Sequence, residues 1–576
     1  MKAWILLLLF FCTACVSPVE TGPVVNSNKG VVVCVDSIAA KVGTDILARG
    51  GNAVDAAVAM GLALAVTHPQ AGNLGGGGFM VIRLDDGRLA TIDYRERAPG
   101  GSHPEMYLKE DGTIDRDARR LGFKACGVPG TVAGLYDAYR KYGGNLDWYE
   151  LVEPARLLAE EGFKVDFDLN NSFKKAKKDL DRFPSTVETY FRTNGEILGI
   201  GEWLVQPNLA KTLASIQNGG SDGFYKGPVS EELIRAITAG GGIMTATDLK
   251  TYLVKERVPL RWKYRDVEIV AVGLPSSGGV ILQEMLNILS GYDLKNMPES
   301  DRFHLLVETM RRAFCDRALY LGDPDFMEPP LEKLLSMEHA EALRATIDMK
   351  RKTSSHNLDH GLTIQPAGTA PSDSSPERSP ASGQTTHFCV ADSKGNIVSN
   401  TYTLEMTFGC KAVAGNTGVL MNNEMGDFNP KPGWTDEDGN IGTTPNLIAP
   451  GKRMLSSMCP VILLKEGQPF AAFGSPGGRS IINTVLQVIV NVVDLGLKPE
   501  LAIQAPRLHH QWFPDKVYLE KTMPWSVKES LKSHGHVLEE VDRLGDCHAL
   551  FFTDWGIVNT ITGVADKRID GCVSGL

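Results

Sequence analysis

The most constraining stretch of this 576-residue chain lies between positions 385 and 405. Thr385-Thr386-His387-Phe388-Cys389-Val390-Ala391 has strand composition, Asp392-Ser393-Lys394-Gly395-Asn396 is a turn cluster, and Ile397 to Glu405 (IVSNTYTLE) is a second strand, so the segment predicts a β-hairpin. With the five-residue cluster as the loop, Ala391 pairs with Ile397, and counting back sets Thr385 opposite Thr403, near enough for one hydroxyl to bond the other. Glu405 then falls on the same face, two residues further on. Taken alone the segment reads as an exposed hairpin, because threonine is a common strand residue. What precedes it is unusual. From about Arg351 to Gln384 the chain runs RKTSSHNLDHGLTIQPAGTAPSDSSPERSPASGQ, polar and with almost no apolar periodicity, and is expected to be a mobile surface linker. His356 and His360 sit four apart within it and read as solvated linker histidines rather than a metal pair.

Strand and helix signals alternate along the rest of the chain, an α/β or layered α+β pattern. Val31–Val33 predicts a strand, and Asn52 is a natural cap for an alanine-rich helix starting at Ala53. The glycine run 75–78 turns into a strand, and its close spacing suits backbone packing more than a ligand cradle. Helices are expected over Gly130–Tyr142, Pro154–Glu161 with the proline at the first position, Val280–Leu289 and Phe303–Tyr320. A net charge of -10 and the absence of a basic stripe with interleaved aromatics argue against a nucleic-acid partner.

The first residues read as a targeting signal. Lys2 is followed by the apolar run Trp4 to Phe11, too short to span a bilayer, and then by Cys12-Thr13-Ala14-Cys15. Cys15 is the lipidation candidate of a bacterial lipoprotein signal over residues 1–15; ordinary secretory cleavage near the same place is the alternative. Either way the expectation is an exported protein, in the bacterial periplasm or at the cell surface. The other eight cysteines (34, 126, 315, 389, 410, 459, 547, 572) form no CxxC pair and read as mostly buried thiols, with room for one bridge whose partners the sequence does not reveal.

Ten motifs in order give the chain a family resemblance: GGNAVDAAVA (50–59), NLGGGGFM (73–80), DYRERAP (93–99), YLGDPDF (320–326), TTHF (385–388), TYTLEMTFG (401–409), NNEMGDF (422–428), KRMLSSM (452–458), GSPGGRS (474–480) and PRLHHQW (506–512). The chain resembles the γ-glutamyltranspeptidase (glutathione hydrolase) family of N-terminal-nucleophile hydrolases from about Val31 to near the C-terminus. The resemblance implies an α+β fold, a four-layer αββα sandwich, and cleavage between Gln384 and Thr385 into a large subunit (16–384) and a small catalytic subunit (385–576) that stay together as a heterodimer. It makes Thr385 the nucleophile, Thr403 the residue that orients it, and Gly477 and Gly478 the oxyanion hole. Arg95, with Ser456 and Ser457, matches the grip on the substrate α-carboxylate, and Glu405, Glu424 and Asp427 match the residues around the α-ammonium. Many members carry Asn where this chain has Glu405, and the family's lid, here Trp434 to Asn446, has Asp438 where some members place a tyrosine; a Glu405–Asp438 gate would be repulsive.

The residue chemistry is consistent with that implication. A γ-glutamyl group carries a carboxylate and an ammonium on one carbon, so its recognition calls for a forked cation beside anions. A threonine hydroxyl needs a base, and an α-amino group freed at Thr385 would supply one. GSPGGRS leads into the apolar run Ile481–Val490, a glycine turn entering a helix whose free N–H groups suit an oxyanion; no GK[ST] follows, which excludes a P-loop. Ser276, Ser277 and Cys389 are rival nucleophiles without an evident base and read as structural. The expected reaction is transfer of a γ-glutamyl group from a donor such as glutathione to water or to an amino acid or dipeptide acceptor, with no metal or cofactor. A glutaryl-type amide acylase acting on β-lactam side chains shares the nucleophile without needing the ammonium-binding acids, and a non-catalytic peptide-binding surface lipoprotein is the alternative from another class.

Overall fold

The computed structural model describes residues 20–358, 360–367, 385–553, 556, 559–569 and 571–576. Gln384, Cys15 and the linker from 368 onward lie outside the described residues.

Two sheets make the frame. The first has eight strands, in spatial order 20–22, 572–575, 30–34, 385–392, 397–403, 77–83, 89–93 and 255–257. The second has seven, in the order 24–27, 560–564, 548–553, 468–474, 461–465, 267–271 and 260–264. Neighbours in both sheets run antiparallel. Ser37–Ala48 and Ala53–Thr67 cover the outside of the first sheet, and Gly278–Leu289 and Ser480–Ile489 the outside of the second, which completes the αββα sandwich.

The hairpin strand Thr385–Asp392 is buried along its whole length because it sits mid-sheet between two layers. Its alternation sorts its side chains: Phe388 and Val390 enter the core under the first helical layer, while Cys389 and Ala391 enter the core shared with the second sheet. Thr385 has the parity of Cys389, so its hydroxyl opens toward the second sheet, at the strand's end. The register is the one counted from the sequence, with Ala391 opposite Ile397 and Thr385 opposite Thr403.

The helix Ala53–Thr67 starts where expected. Asn52 Oδ1 accepts the N–H groups of Val54 and Asp55, and the Asp55 carboxylate accepts that of Asn52. The glycine run packs against backbone: a Cβ on Gly76 would stand 2.0 Å from the Thr403 carbonyl oxygen, and one on Gly77 2.6 Å from a Glu96 carboxylate oxygen.

Three expectations need correction. Pro154 is not at a first helical position but inside Trp148–Glu161, which opens with a capping box between Asp147 and Glu150; that pair is the stronger start signal. The helix ending at Tyr320 begins at Glu299 rather than Phe303. The front of the supposed linker is built into the fold: Ser355–Leu358 is a 3-10 turn, Ile364–Gln365 pairs with Thr435–Asp436, and buried Ser355 links Arg311 Nη1 (2.6 Å) to the Trp512 carbonyl (2.8 Å). Composition marked the segment as polar, but its polar groups are held by partners up to 157 residues away along the chain. Among the described residues no helix is long and apolar enough to cross a membrane.

Candidate active site

Thr385, Thr403, Arg95, Glu405, Glu424, Asp427, Ser456, Ser457, Gly477 and Gly478 all line one cavity of about 500 Å³, at the end of the hairpin. Thr385 Oγ1 donates to Thr403 Oγ1 at 3.3 Å, and Thr403 Oγ1 in turn accepts the Glu405 N–H at 2.8 Å. The Thr403 hydroxyl is thereby held between a nucleophile candidate and a backbone donor. Glu405 is not a strand residue, as alternation had predicted. The strand stops at Thr403, and Glu405 takes a left-handed backbone (φ 79) that swings its carboxyl into the cavity.

Arg95 is fully buried, and its guanidinium is shared among acids. Nη1 lies 2.6 Å from Glu424 and 3.5 Å from Glu96, Nη2 pairs with Asp427, and Nε donates to the Met454 carbonyl at 3.3 Å. Asp93 accepts the backbone N–H of Arg95 at 3.0 Å. Burial opposes the Arg95 charge, but Glu424, Asp427 and Glu96 outweigh it and raise its pKa. The acids respond in the opposite sense. Burial, with Asp427 adding, pushes Glu405 up to about 8 against the pull of Arg119, Arg95 and Lys411. Burial pushes Glu96 up to about 8 and Glu424 upward as well, both despite Arg95. Glu96, Glu424 and Asp427 converge on Arg95, and Glu405 stands beside them under the pull of Arg119 and Lys411 as well, so the acids form a cluster at which an incoming ammonium would favour the ionised forms.

The carboxylate side is framed by serines. Ser457 Oγ accepts from Arg317 Nη2 at 3.0 Å, Arg317 Nε donates to Ser277 Oγ at 2.9 Å, and Ser277 Oγ donates to the Ser456 carbonyl at 2.7 Å. Arg317 is buried, and desolvation, with Arg479 adding, lowers it to about 9. Sequence reasoning missed it: it sits inside the helix Glu299–Tyr320, where an arginine reads as a solvated position. Ser277 is committed to this support. Cys389 lies deep between the sheets beside His387 Nε2 (3.1 Å), and burial raises its thiol, the reverse of an activated nucleophile.

Gly477 and Gly478 form the turn between the strand Gln468–Gly474 and the helix Ser480–Ile489, with φ of 131° and 56°. Both values suit glycine, and they leave N–H groups at a buried helix start beside Thr385, the arrangement that stabilises an oxyanion. The lid segment is anchored. Asp436 accepts the Asn440 N–H and side-chain amide (3.0 and 2.7 Å), Glu437 accepts from His356 (2.8 Å) and from the Ala367 N–H (3.1 Å), and Arg479 Nη1 reaches the Gly439 carbonyl at 3.4 Å. Glu405 and Asp438 both line the cavity, as does Arg479. His356 is exposed, as expected, and is also a partner of the lid through Glu437. Two groups outside the cavity have metal-ligand composition, His304–Glu308–His536 and Glu284–Asp316–His339. In the first, Glu308 is already taken by Arg311 and Arg312.

A threonine hydroxyl at the end of a central strand, opening between the sheets of an αββα sandwich, defines the class of N-terminal-nucleophile hydrolases. The gamma-glutamyltranspeptidase family model matches residues 39–576, and the chain belongs to that family. It is 40% identical over 555 residues to a glutathione hydrolase proenzyme of Escherichia coli (strain K12), covering 96% of this chain and 92% of the relative. It is 36% identical over 557 residues to the acylase ACY 1 proenzyme of Pseudomonas sp. (strain SE83), covering 95% and 93%. Among solved structures it is similar to a cephalosporin acylase from Bacillus halodurans, with a TM-score of 0.82, 26% identity and 99% coverage of both chains.

Proposed function

We propose that this chain is an autoprocessing γ-glutamyltransferase and glutathione hydrolase. The observation that carries the reading is the shared cavity: the Thr385 hydroxyl opens into the same space as a buried arginine fork paired with Glu424 and Asp427, with Glu405 beside them. A glutaryl group brings no ammonium to relieve Glu405, Glu424 and Asp427, which favours the γ-glutamyl donor over the acylase reading, although acylases share the fold and the threonine.

In the proposed sequence, Thr385 Oγ attacks the Gln384 carbonyl and the peptide C–N bond breaks, leaving an ester and a free Thr385 amine; water then hydrolyses the ester to the Gln384 carboxylate and the Thr385 hydroxyl. That amine then takes the hydroxyl proton as Oγ attacks the γ-carbonyl of the donor. The N–H groups at Gly477–Gly478 hold the oxyanion, Arg95 takes the α-carboxylate, and the acids take the ammonium. Water or an amino acid or dipeptide then removes the acyl group. The mature protein is a heterodimer of a large chain ending at Gln384 and a small chain of residues 385–576, exported to the bacterial periplasm or cell surface, with Cys15 as the lipidated first residue of the large chain.

The test is an assay of the mature protein with a γ-glutamyl anilide and a glutaryl anilide, each with and without a dipeptide acceptor. Thr385→Ala should remain a single chain and inactive. Equal turnover of the two anilides would sink the γ-glutamyl reading, and a small-chain N-terminus other than Thr385 would sink the nucleophile.

A further inference from the structure

We propose that Cys126 and Cys410 form a disulfide that covalently joins the two chains of the mature protein. This rests on the cleavage and export proposed above. The two sulfurs stand 3.5 Å apart, both buried, with the Cys126 thiol directed at Cys410 Sγ. They lie on opposite sides of the cleavage point, Cys126 in the large chain and Cys410 in the small one.

The backbone around them is already locked together. Gly122 N donates to the Cys410 carbonyl at 2.9 Å, and Gly127 and Asn422 exchange two bonds of 2.8 Å on the other flank. A disulfide needs its sulfurs at about 2.05 Å, so closure asks for about 1.5 Å of approach from the 3.5 Å observed. The Cys126 and Cys410 thiols also reach the Gly122 and Ala412 carbonyls, at 3.9 and 3.8 Å, farther than the sulfurs stand from each other. Cys34 and Cys572 face each other across a strand pair, but Cys34 Sγ donates to the Asp36 carbonyl (3.1 Å) and Cys572 Sγ to that of Val573 (3.5 Å).

The bond forms by thiol–disulfide exchange with a disulfide of the oxidising compartment. One cysteine thiolate attacks that disulfide and expels a thiolate. The second cysteine then displaces the remaining half of the reagent, so the two cysteines lose two protons and two electrons and the reagent leaves as two thiols. Burial raises the Cys126 thiol, which slows exchange in the folded state and places the reaction during folding. Once closed, the bond is shielded from reductants. Its place is functional: Cys410 follows the turn that carries Glu405, and Cys126 follows Arg119, which holds the Gly426 and Phe428 carbonyls, so the link tethers the acid wall of the cavity.

The experiment uses the full chain, exported with its own leader, denatured in iodoacetamide and run on a denaturing gel with and without reductant. One band near the precursor mass without reductant and two bands with it are expected. A peptide map should contain a Cys126–Cys410 cross-link lighter by the two lost hydrogens. Cys126→Ala and Cys410→Ala should each give two bands under both conditions. Alkylation of both cysteines in the unreduced protein, or a link mapped to other cysteines, overturns the proposal, and the map decides on wild-type protein alone if the variants do not fold. A single band in reductant alongside the mapped cross-link would fault the cleavage reading and leave the disulfide standing.

Discussion

At the scale of single residues, the site works through groups that hold other groups. Thr403 is held by the Glu405 N–H and so presents its oxygen to Thr385 in one orientation. Thr403→Ala removes that oxygen and should slow both autocleavage and turnover, whereas Thr403→Ser keeps it and should be much milder. Wild-type rates in the alanine variant, by single-turnover assay and by gel, would remove Thr403 from the site. Arg95→Lys keeps the charge and loses the fork that spans Glu424 and Asp427. The contact with a substrate carboxylate should weaken by about 2–5 kcal/mol, roughly 30-fold to several thousandfold in kcat/KM, mostly in KM. Because Arg95 also neutralises buried acids, the same variant should melt earlier, so its cleavage and its melting curve are read alongside the kinetics. An unchanged KM for the γ-glutamyl anilide would refute the role given to Arg95. Much of this site was legible: the Thr385–Thr403 register follows from counting back across the turn, and the acids follow from the family motifs. Arg317 and Glu96 were not, because their surroundings are built by segments distant in sequence.

At the scale of elements, the turn between strand and helix at 474–480 carries the sharpest expectation. A Cβ on Gly477 would stand 2.6 Å from Ser480 Oγ, at a φ of 131° that L-residues rarely adopt. Gly477→Ala should therefore re-aim the N–H groups of the turn and lower kcat by about 100- to 1000-fold, the usual effect of losing one oxyanion donor, with little change in KM. A kcat within a few-fold of wild type would move the oxyanion site elsewhere. Helix starts were readable wherever a cap announced them, as at Asn52. Where a proline competed with a capping box, at Pro154 and Asp147, the box decided, because two satisfied N–H groups outweigh one that is missing. The front of the polar segment 351–367 was unreadable as structure because its partners, Arg311, Trp512 and Glu437, lie far along the chain.

At the scale of the whole molecule, two sheets and their helical layers come from strands scattered between residues 20 and 575, a pairing that local signals do not specify and that the family resemblance alone supplied. The assembled layers bury the acid cluster, and this burial makes donor binding a proton-linked event. Burial and Asp427 hold Glu405 up to about 8, so near neutrality the free protein keeps that carboxyl largely protonated. An ammonium beside it favours the ionised form and lowers its pKa. Binding a γ-glutamyl analogue at pH 7 should then release protons, and affinity should increase as pH rises toward 8. Calorimetry in two buffers of different ionisation enthalpy reads the release directly; proton uptake, or identical observed heats in the two buffers, would contradict it. The sign for folding is opposite. An acid with a raised pKa lends its stability fully below its ordinary range and loses it as pH climbs toward about 8, so the ligand-free protein should melt progressively earlier from pH 5 to 8. Glu405→Gln removes that titration and should make the melting temperature's dependence on pH shallower, while Glu96, also held up at about 8, keeps part of it. The Thr385 amine also gains activity with rising pH, but as the catalytic base it acts on kcat, whereas Glu405 acts on KM. A pH profile in which kcat and KM move independently separates the two groups, and one in which Glu405→Gln leaves the KM profile unchanged would take Glu405 out of ammonium binding.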